Sequence, residues 1–297
     1  MGQRGIRRKM QARVKSYVDC SSAKTAVSPV RYPGGKQRFL SEILTFLPAA
    51  SELLGRFVEP FVGGGSVFFA VSPKRALLSD KNAELITLYR GIRRDPDTVW
   101  ASYCRLPRTK KGYYKVRDRA VRDLSLVRKA ARTLYLNRTC FKGMWRHNAE
   151  GKFNVGYGGQ SRRWVITNEV LRQTSKQLGG VELRCSDFEP VIDGAEAGDV
   201  VFCDPPYRPG HCEMFKQHYV QQQFSYADHT RLAAALARAS KRRVKWVLTT
   251  SLHPKIVSLF EGAFVFPLNR GAGKSPGRIT KESGEAVITN FMETKYG

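Results

Sequence analysis

The chain has 297 residues, 42% of them hydrophobic, enough for one large domain or two small ones with an ordinary core. Its 51 Lys and Arg against 25 Asp and Glu leave a net charge of +26, which points to a large polyanion as partner. No apolar run is long enough to span a membrane, no apolar segment follows the basic start, and the six cysteines form no C-x-x-C pair or zinc spacing. Those exclusions predict a cytoplasmic, reducing setting without a membrane or a metal.

Residues 1–28 read as a basic arm, with Arg4, Arg7, Arg8, Lys9, Arg13, Lys15 and Lys24 against Asp19, and room for a short helix over about 6–18. Arg31-Tyr32-Pro33-Gly34-Gly35-Lys36 is a turn, and a helix is expected over about 37–47 with Phe39, Ile43 and Leu47 on one face. Arg56–Phe61 reads as the first strand; Val62-Gly63-Gly64-Gly65-Ser66 is a tight turn into a helix from Val67. Arg75–Ser79 is the second strand, with Asp80 at its end.

The rhythm then breaks. Helices are expected over about 82–93, 112–123 and 125–138, followed by a polar hairpin turning at 147–151. Basic residues far outnumber acidic ones between Arg105 and Arg172, interleaved with Tyr113, Tyr114, Tyr135, Phe141, Trp145, Phe153, Tyr157 and Trp164. That mixture suits phosphate neutralisation combined with base contact. Strands resume at Val181–Cys185, Asp199–Cys203 and Val244–Thr250, with a helix over Asp228–Arg242 capped by Asp228. Phe264–Phe266 and Ala286–Phe291 are expected to close the sheet. The fold class is α/β, a parallel or mixed sheet covered on both faces. The gap of about 100 residues between the second and third strands is too long for a crossover, and predicts an inserted helical subdomain. The expected division is an arm over 1–28, a discontinuous catalytic domain over 29–81 and 164–297, and the subdomain over 82–163.

Asp204-Pro205-Pro206-Tyr207 is the most informative stretch. It follows the apolar run Val200–Cys203, and two prolines cannot extend a central strand. The chain therefore leaves the sheet at Asp204, at the carboxyl edge where open α/β sheets bind ligands. A carboxylate and a proline carbonyl there can both accept from an exocyclic amine, and Tyr207 can stack on a flat ring. The plainer reading is a Pro-rich turn with an N-capping Asp. The strand, glycine loop and helix at Phe57–Ser66 lack both a G-K-[ST] and a G-x-G-x-x-G pattern, so they fit a nucleoside with a small charged tail rather than a triphosphate or dinucleotide. Asp80, at the next strand end, is placed to accept from ribose hydroxyls.

Taken together these residues resemble the Dam-like DNA adenine-N6 methyltransferases (D12 class, alpha group), which use S-adenosylmethionine, and the resemblance implies a Rossmann-like fold with a mixed sheet and a recognition hairpin in the inserted subdomain. The resemblance runs from about Arg31 to Phe291 and rests on four blocks in order. These are Arg31–Lys36, the glycine loop Glu59–Ser66, the recognition segments Leu134–Arg138, Phe141–Arg146 and Gly151–Val155, and Asp204–Tyr207. It implies that Tyr32, Gly34, Gly35 and Lys36 lie around the methionine end of the cofactor. Glu59, Phe61, Gly63, Gly65 and Ser66 would line its pocket, Asp80 would hold its ribose, and Asp187 and Phe188 would meet its adenine. Asp204, Pro205, Pro206 and Tyr207 would hold the target adenine. Arg31, Asn137, Arg138, Phe141, Lys142, Met144, Arg146, Lys152 and Asn154 would face duplex DNA. Arg31, Lys142, Met144 and Gly156 depart from the residues usual in GATC-specific members, so the resemblance carries the chemistry and not the target sequence.

The implied reaction is a direct displacement on an adenine flipped out of the helix, with Phe141 expected to fill the gap. It needs no metal and no covalent enzyme intermediate. The implied setting is a bacterial or phage enzyme associated with the nucleoid, acting as a monomer or homodimer. Two competing readings change the substrate to RNA or a protein amide, or make the chain a non-catalytic DNA-binding regulator. Intact Glu59–Ser66 and Asp204–Tyr207 blocks argue against the second.

Overall fold

The computed structural model describes residues 28–32, 35–148, 150–206, 224–268 and 284–292. The basic arm with its expected helix, Gly34, Tyr207 and the thiols of Cys20 and Cys212 lie outside the described residues. Seven strands, β1 (Phe57–Glu59), β2 (Ala76–Asp80), β3 (Glu182–Cys185), β4 (Val200–Cys203), β5 (Lys245–Ser251), β6 (Phe264–Pro267) and β7 (Glu285–Thr289), form one sheet in the order β3-β2-β1-β4-β5-β7-β6. Neighbours from β3 to β5 pair in parallel, and β7 runs antiparallel to both β5 and β6. The strands are short and rich in Val, Leu and Phe, and β1 and β4 are buried along their whole length, as a sheet covered on both faces requires. Every expected strand is present within a residue or two.

The described helices are α1 (Leu40–Leu44), α2 (Ser66–Val71), α3 (Ala83–Arg94), α4 (Pro96–Cys104), α5 (Lys110–Asp118), α6 (Leu126–Thr139), α7 (Asn168–Gln177), α8 (Phe188–Asp193), α9 (Tyr226–Lys241) and α10 (Pro254–Val257). Helices α8 and α9 cover one sheet face, burying Val58, Val201 and Leu248 with Leu232, Leu236 and Ile192. The other face carries Phe57, Leu78, Phe202 and Val247, and its core runs without a break into α3, α6 and α7. Helix α3 packs against α6 and also against β2 and β3, so it belongs to both layers. Helix α6 is the centre of the helical layer, buried from Ala130 to Thr139.

Local chemistry sets the ends of these helices. Asn82 caps α3 by accepting from the N–H groups of Glu84 and Leu85, and Ser125 caps α6. The cap of α9 is Ser225 rather than the expected Asp228. Asp228 sits at the third helical position and returns a bond to the Ser225 N–H, a capping box that starts the helix earlier than hydrophobic spacing suggests. The helix expected over 37–47 is broken into a 3-10 turn, Lys36–Arg38, and α1. Helix α4 went unread although Asp95 caps it and Pro96 opens it, because its apolar spacing is weak. The polar hairpin forms no continuous ladder among the described residues: isolated bridges join Cys140 to Tyr157 and His147 to Phe153, and the Asn154 N–H donates to the Arg146 carbonyl at 3.0 Å. Among the described residues no helix is long and apolar enough to cross a membrane.

Candidate active site

The chain runs outward from β1 to β2 and β3, then returns to lay β4 on the other side of β1. The strand order reverses between β1 and β4, and the crevice beyond their carboxyl ends is where such sheets bind ligands. Glu59 ends β1 and Asp204 follows β4, so the two carboxylates flank that crevice. Asp204 Oδ1 accepts from the Lys36 ammonium at 2.7 Å and from the Thr249 hydroxyl at 2.6 Å. Burial pushes the Asp204 carboxyl above the usual carboxylate range; Lys36 and Thr249 pull it back toward the ionised form. Pro205 is buried and Pro206 exposed, so the turn leaves the sheet edge with the first proline packed beneath it.

Glu59 is 2% exposed, and its Oε2 has no hydrogen-bond partner among the described residues. Burial, then the neighbouring charge of Asp204, raises its carboxyl well above the ordinary value. The loop after β1 turns through Gly63 at φ 45° and Gly65 at φ 65°, both in the left-handed region. A Cβ at Gly63 would sit 3.0 Å from the Tyr32 ring, so the loop admits no side chain there. Asp80 closes the loop, with one oxygen accepting from Gly63 N–H at 3.0 Å and the other from Asn82 N–H at 2.9 Å. The Tyr89 hydroxyl donates to the Gly63 carbonyl at 2.8 Å from below. On the far side of β1, Phe61 stacks on Phe188 with ring centroids 5.2 Å apart. Arg231 lies over the Phe188 ring and pairs with Asp187, which also caps α8. Ser66 opens α2 directly after the loop.

The structure divides the residues expected at DNA. Phe141 is half exposed, and Lys142, at φ 54°, carries its ammonium over the Phe141 ring. Arg146 Nε donates to Asn154 Oδ1 at 2.8 Å across the hairpin, which orients the guanidinium, and Lys152 is exposed at the hairpin end. Met144 instead packs against the core. Asn137 and Arg138 are buried and turn inward. The Asn137 amide exchanges two bonds with the backbone of Arg31, accepting from its N–H at 2.8 Å and donating to its carbonyl at 2.6 Å. Arg138 donates twice to the Pro29 carbonyl, and burial lowers its pKa to about 10. A run of polar residues at the end of α6 reads in sequence as a surface, but here it ties the 28–32 segment to the helical layer.

Residues 32–269 match the family described as D12 class N6 adenine-specific DNA methyltransferase. The chain belongs to that family. It is 30% identical over 275 residues to a type II methyltransferase of Lactococcus lactis subsp. cremoris, covering 90% of this chain and 94% of that one. It is 36% identical over 235 residues to the DNA N-6-adenine-methyltransferase of Escherichia phage P1, covering 77% of this chain and 30% of the phage protein. A type II methyltransferase of Methanocaldococcus jannaschii is 32% identical over 252 residues, covering 78% and 87%. The chain is thus an adenine-specific DNA methyltransferase with the Rossmann-like fold its sequence predicts.

Two residues of this methyltransferase site escaped sequence reading. Thr249 lies in an apolar strand, and its only signal is a hydroxyl where the flanking pattern is valine and leucine. Tyr89 looks like one more core residue of α3; its hydroxyl under the glycine loop shows only when α3 is docked. Lys36, expected near the methionine end of the cofactor, reaches the Asp204 carboxylate as well.

Proposed function

We propose that this methyltransferase takes its methyl group from S-adenosylmethionine and delivers it to N6 of an adenine flipped out of duplex DNA. The observation that carries the reading is Asp204, a half-buried carboxylate beside the β1–β4 switch point, held at one oxygen by Lys36 and Thr249. A carboxylate so held is an oriented acceptor. With the Pro205 carbonyl it would accept from the N6 amine, localise the nitrogen lone pair and stabilise positive charge developing there. Tyr207 would stack on the extruded base.

The residues along β1 and β2 fit the methyl donor. Glu59 Oε2 is a buried acceptor awaiting a donor, which suits an ammonium group. The side-chain-free loop at Gly63 and Gly65 lets a ligand approach the backbone, and Asp80 stands beside it for the ribose hydroxyls. Tyr32, Gly35 and Ser66 complete that side, with Gly34 assigned to it by the resemblance alone, while Phe61, Phe188 and Asp187 form the apolar slot with a polar end that an adenine needs. When bound, the donor supplies a sulfonium methyl that is already electrophilic. Residues 82–163 serve as the target-recognition part and residues 29–81 and 164–297 as the catalytic part. Arg31, Phe141, Lys142, Arg146, Lys152 and Asn154 are the contacts to DNA.

Methyl transfer to duplex DNA by Asp204→Ala and Asp204→Asn tests this. Both variants should lose turnover about 100-fold or more while still binding DNA, because the phosphate contacts lie elsewhere. Wild-type turnover in Asp204→Ala would sink the reading.

A further inference from the structure

We infer that Thr249 is a positioning residue for methyl transfer: together with Lys36 it fixes the Asp204 carboxylate so that Oδ2 is presented to the target amine. The inference rests on the reading of Asp204 as the acceptor of that amine.

The geometry begins with strand register. Strands β4 and β5 pair in parallel up to Cys203 opposite Leu248, so Asp204 and Thr249 are the next pair and share one face. The Thr249 hydroxyl donates to Asp204 Oδ1 at 2.6 Å, and Lys36 Nζ lies 2.7 Å from the same oxygen. Oδ2 accepts no hydrogen bond from the described residues. A carboxylate gripped at one oxygen by two donors cannot rotate without breaking both bonds. Threonine suits the task because its branched Cβ restricts χ1 and so fixes the direction of the hydroxyl.

The hydroxyl's other acceptor, the Cys203 carbonyl, lies farther off at 3.4 Å, and packing alone gives no reason for a hydroxyl at this position. Thr249 is fully buried, with Val247 two residues before it and Val287 opposite it on β7, all three inaccessible to solvent. Valine has the same shape and would fill the slot without a polar atom to satisfy. The neighbouring Thr250, pointing to the other face, has a hydroxyl with no partner among the described residues, so a hydroxyl on this strand does not find a partner automatically. Among the described residues, the charged groups around Asp204 are Lys36 from the turn before α1, Glu59 from β1 and Glu285 from β7. Two of the three are carboxylates, so the Thr249 bond also helps keep Asp204 ionised.

The test compares Thr249→Val, Thr249→Ser and Asp204→Ala in the full chain, with kcat, KM for S-adenosylmethionine and for duplex DNA, and the pH profile of kcat. Thr249→Val should lower kcat about ten- to hundredfold, the worth of a hydrogen bond to a charged group, with both KM values changed by less than about twofold. The acid limb of its kcat profile should move to higher pH, because a bond favouring the ionised carboxylate has gone. Thr249→Ser should recover most of the rate. Should Thr249→Val fail to fold, Thr249→Cys against Thr249→Ser repeats the comparison with a weak donor of similar size. Wild-type kcat and acid limb in Thr249→Val, or equal impairment of the hydroxyl and non-hydroxyl variants, overturns the inference. If Asp204→Ala is inactive in that experiment, the proposed function stands and only the role of Thr249 falls; an active Asp204→Ala removes both.

Discussion

Burying one carboxylate beside another costs stability, and Glu59 next to Asp204 carries that cost. Its folded carboxyl titrates well above the unfolded one, so the folded state holds an extra proton between the two values. Stability from this group is therefore present below the usual carboxylate range and lost as pH rises through the window toward the folded value. Glu59→Gln is neutral at every pH and escapes the loss. We expect it to be more stable than the wild type by about 1–3 kcal/mol at pH 7, with the gain vanishing near pH 4, where both proteins are neutral at this site. Thermal melts at the two pH values check this, and a lower melting temperature for Glu59→Gln at pH 7 would contradict it. The same variant should bind S-adenosylmethionine more weakly in a direct titration, since an amide cannot match the charge of an ammonium. A site that keeps an unsatisfied acid trades stability for function.

Two elements decide where the DNA-facing groups stand. The first is the end of α6. Asn137 holds the backbone of Arg31, and the next residue, Tyr32, packs against the glycine loop. Asn137→Ala should destabilise the fold by about 1–3 kcal/mol, because it leaves a largely buried N–H and carbonyl unpaired. It should also raise KM for the methyl donor through Tyr32. Denaturant melts and donor titration measure both; unchanged stability with weakened DNA binding would restore a direct DNA contact for Asn137. The second element is the hairpin, whose two sides are joined by isolated bridges and single hydrogen bonds rather than a continuous ladder. The carboxylate of Glu84 ties it to α3, accepting from His147 at 3.0 Å and Arg132 at 3.3 Å. Asn154 keeps Arg146 pointed along it. Arginine suits guanine, donating in parallel to O6 and N7, so Arg146→Ala should relax one G·C position of the target by about 1–3 kcal/mol. Methylation of a randomised duplex library reads this directly, and a uniform loss at every position would mark Arg146 as a phosphate contact.

Over the whole molecule the excess of 51 basic over 25 acidic residues sets how the enzyme meets DNA. Each phosphate neutralised releases counterions, so the affinity should fall by about 10³-fold or more between 50 and 200 mM salt if six or more contacts form. Removing residues 1–27, which carry Arg4, Arg7, Arg8, Lys9, Arg13, Lys15 and Lys24, should flatten the plot of log affinity against log salt without changing the preferred site. An unchanged slope would assign the arm another partner. The charge and the site also lie on different parts of the chain. The sheet edge carries the carboxylates Glu59, Asp80 and Asp204, while the basic stretch from Arg105 to Arg172 spans the helical layer and the hairpin.

The sequence by itself determined the strands, the glycine loop, the carboxylate at the end of β4 and the family, because each is written in a contiguous run: apolar alternation, consecutive glycines, two prolines that must end a strand. Tertiary structure alone decided the partners of those groups. Thr249 meets Asp204 only through the register of β4 and β5, across a separation of 45 residues. Asn137 and Arg138 read as polar surface until α6 is placed at the centre of the helical layer, where their side chains bond the backbone of Arg31 and Pro29. Helix α3 falls inside the stretch read as a separate subdomain, yet it packs on β2 and β3, since one apolar stripe can bury itself against sheet and helix together. Local patterns record what a segment prefers, and the pairing of side chains from distant segments is set when the layers close.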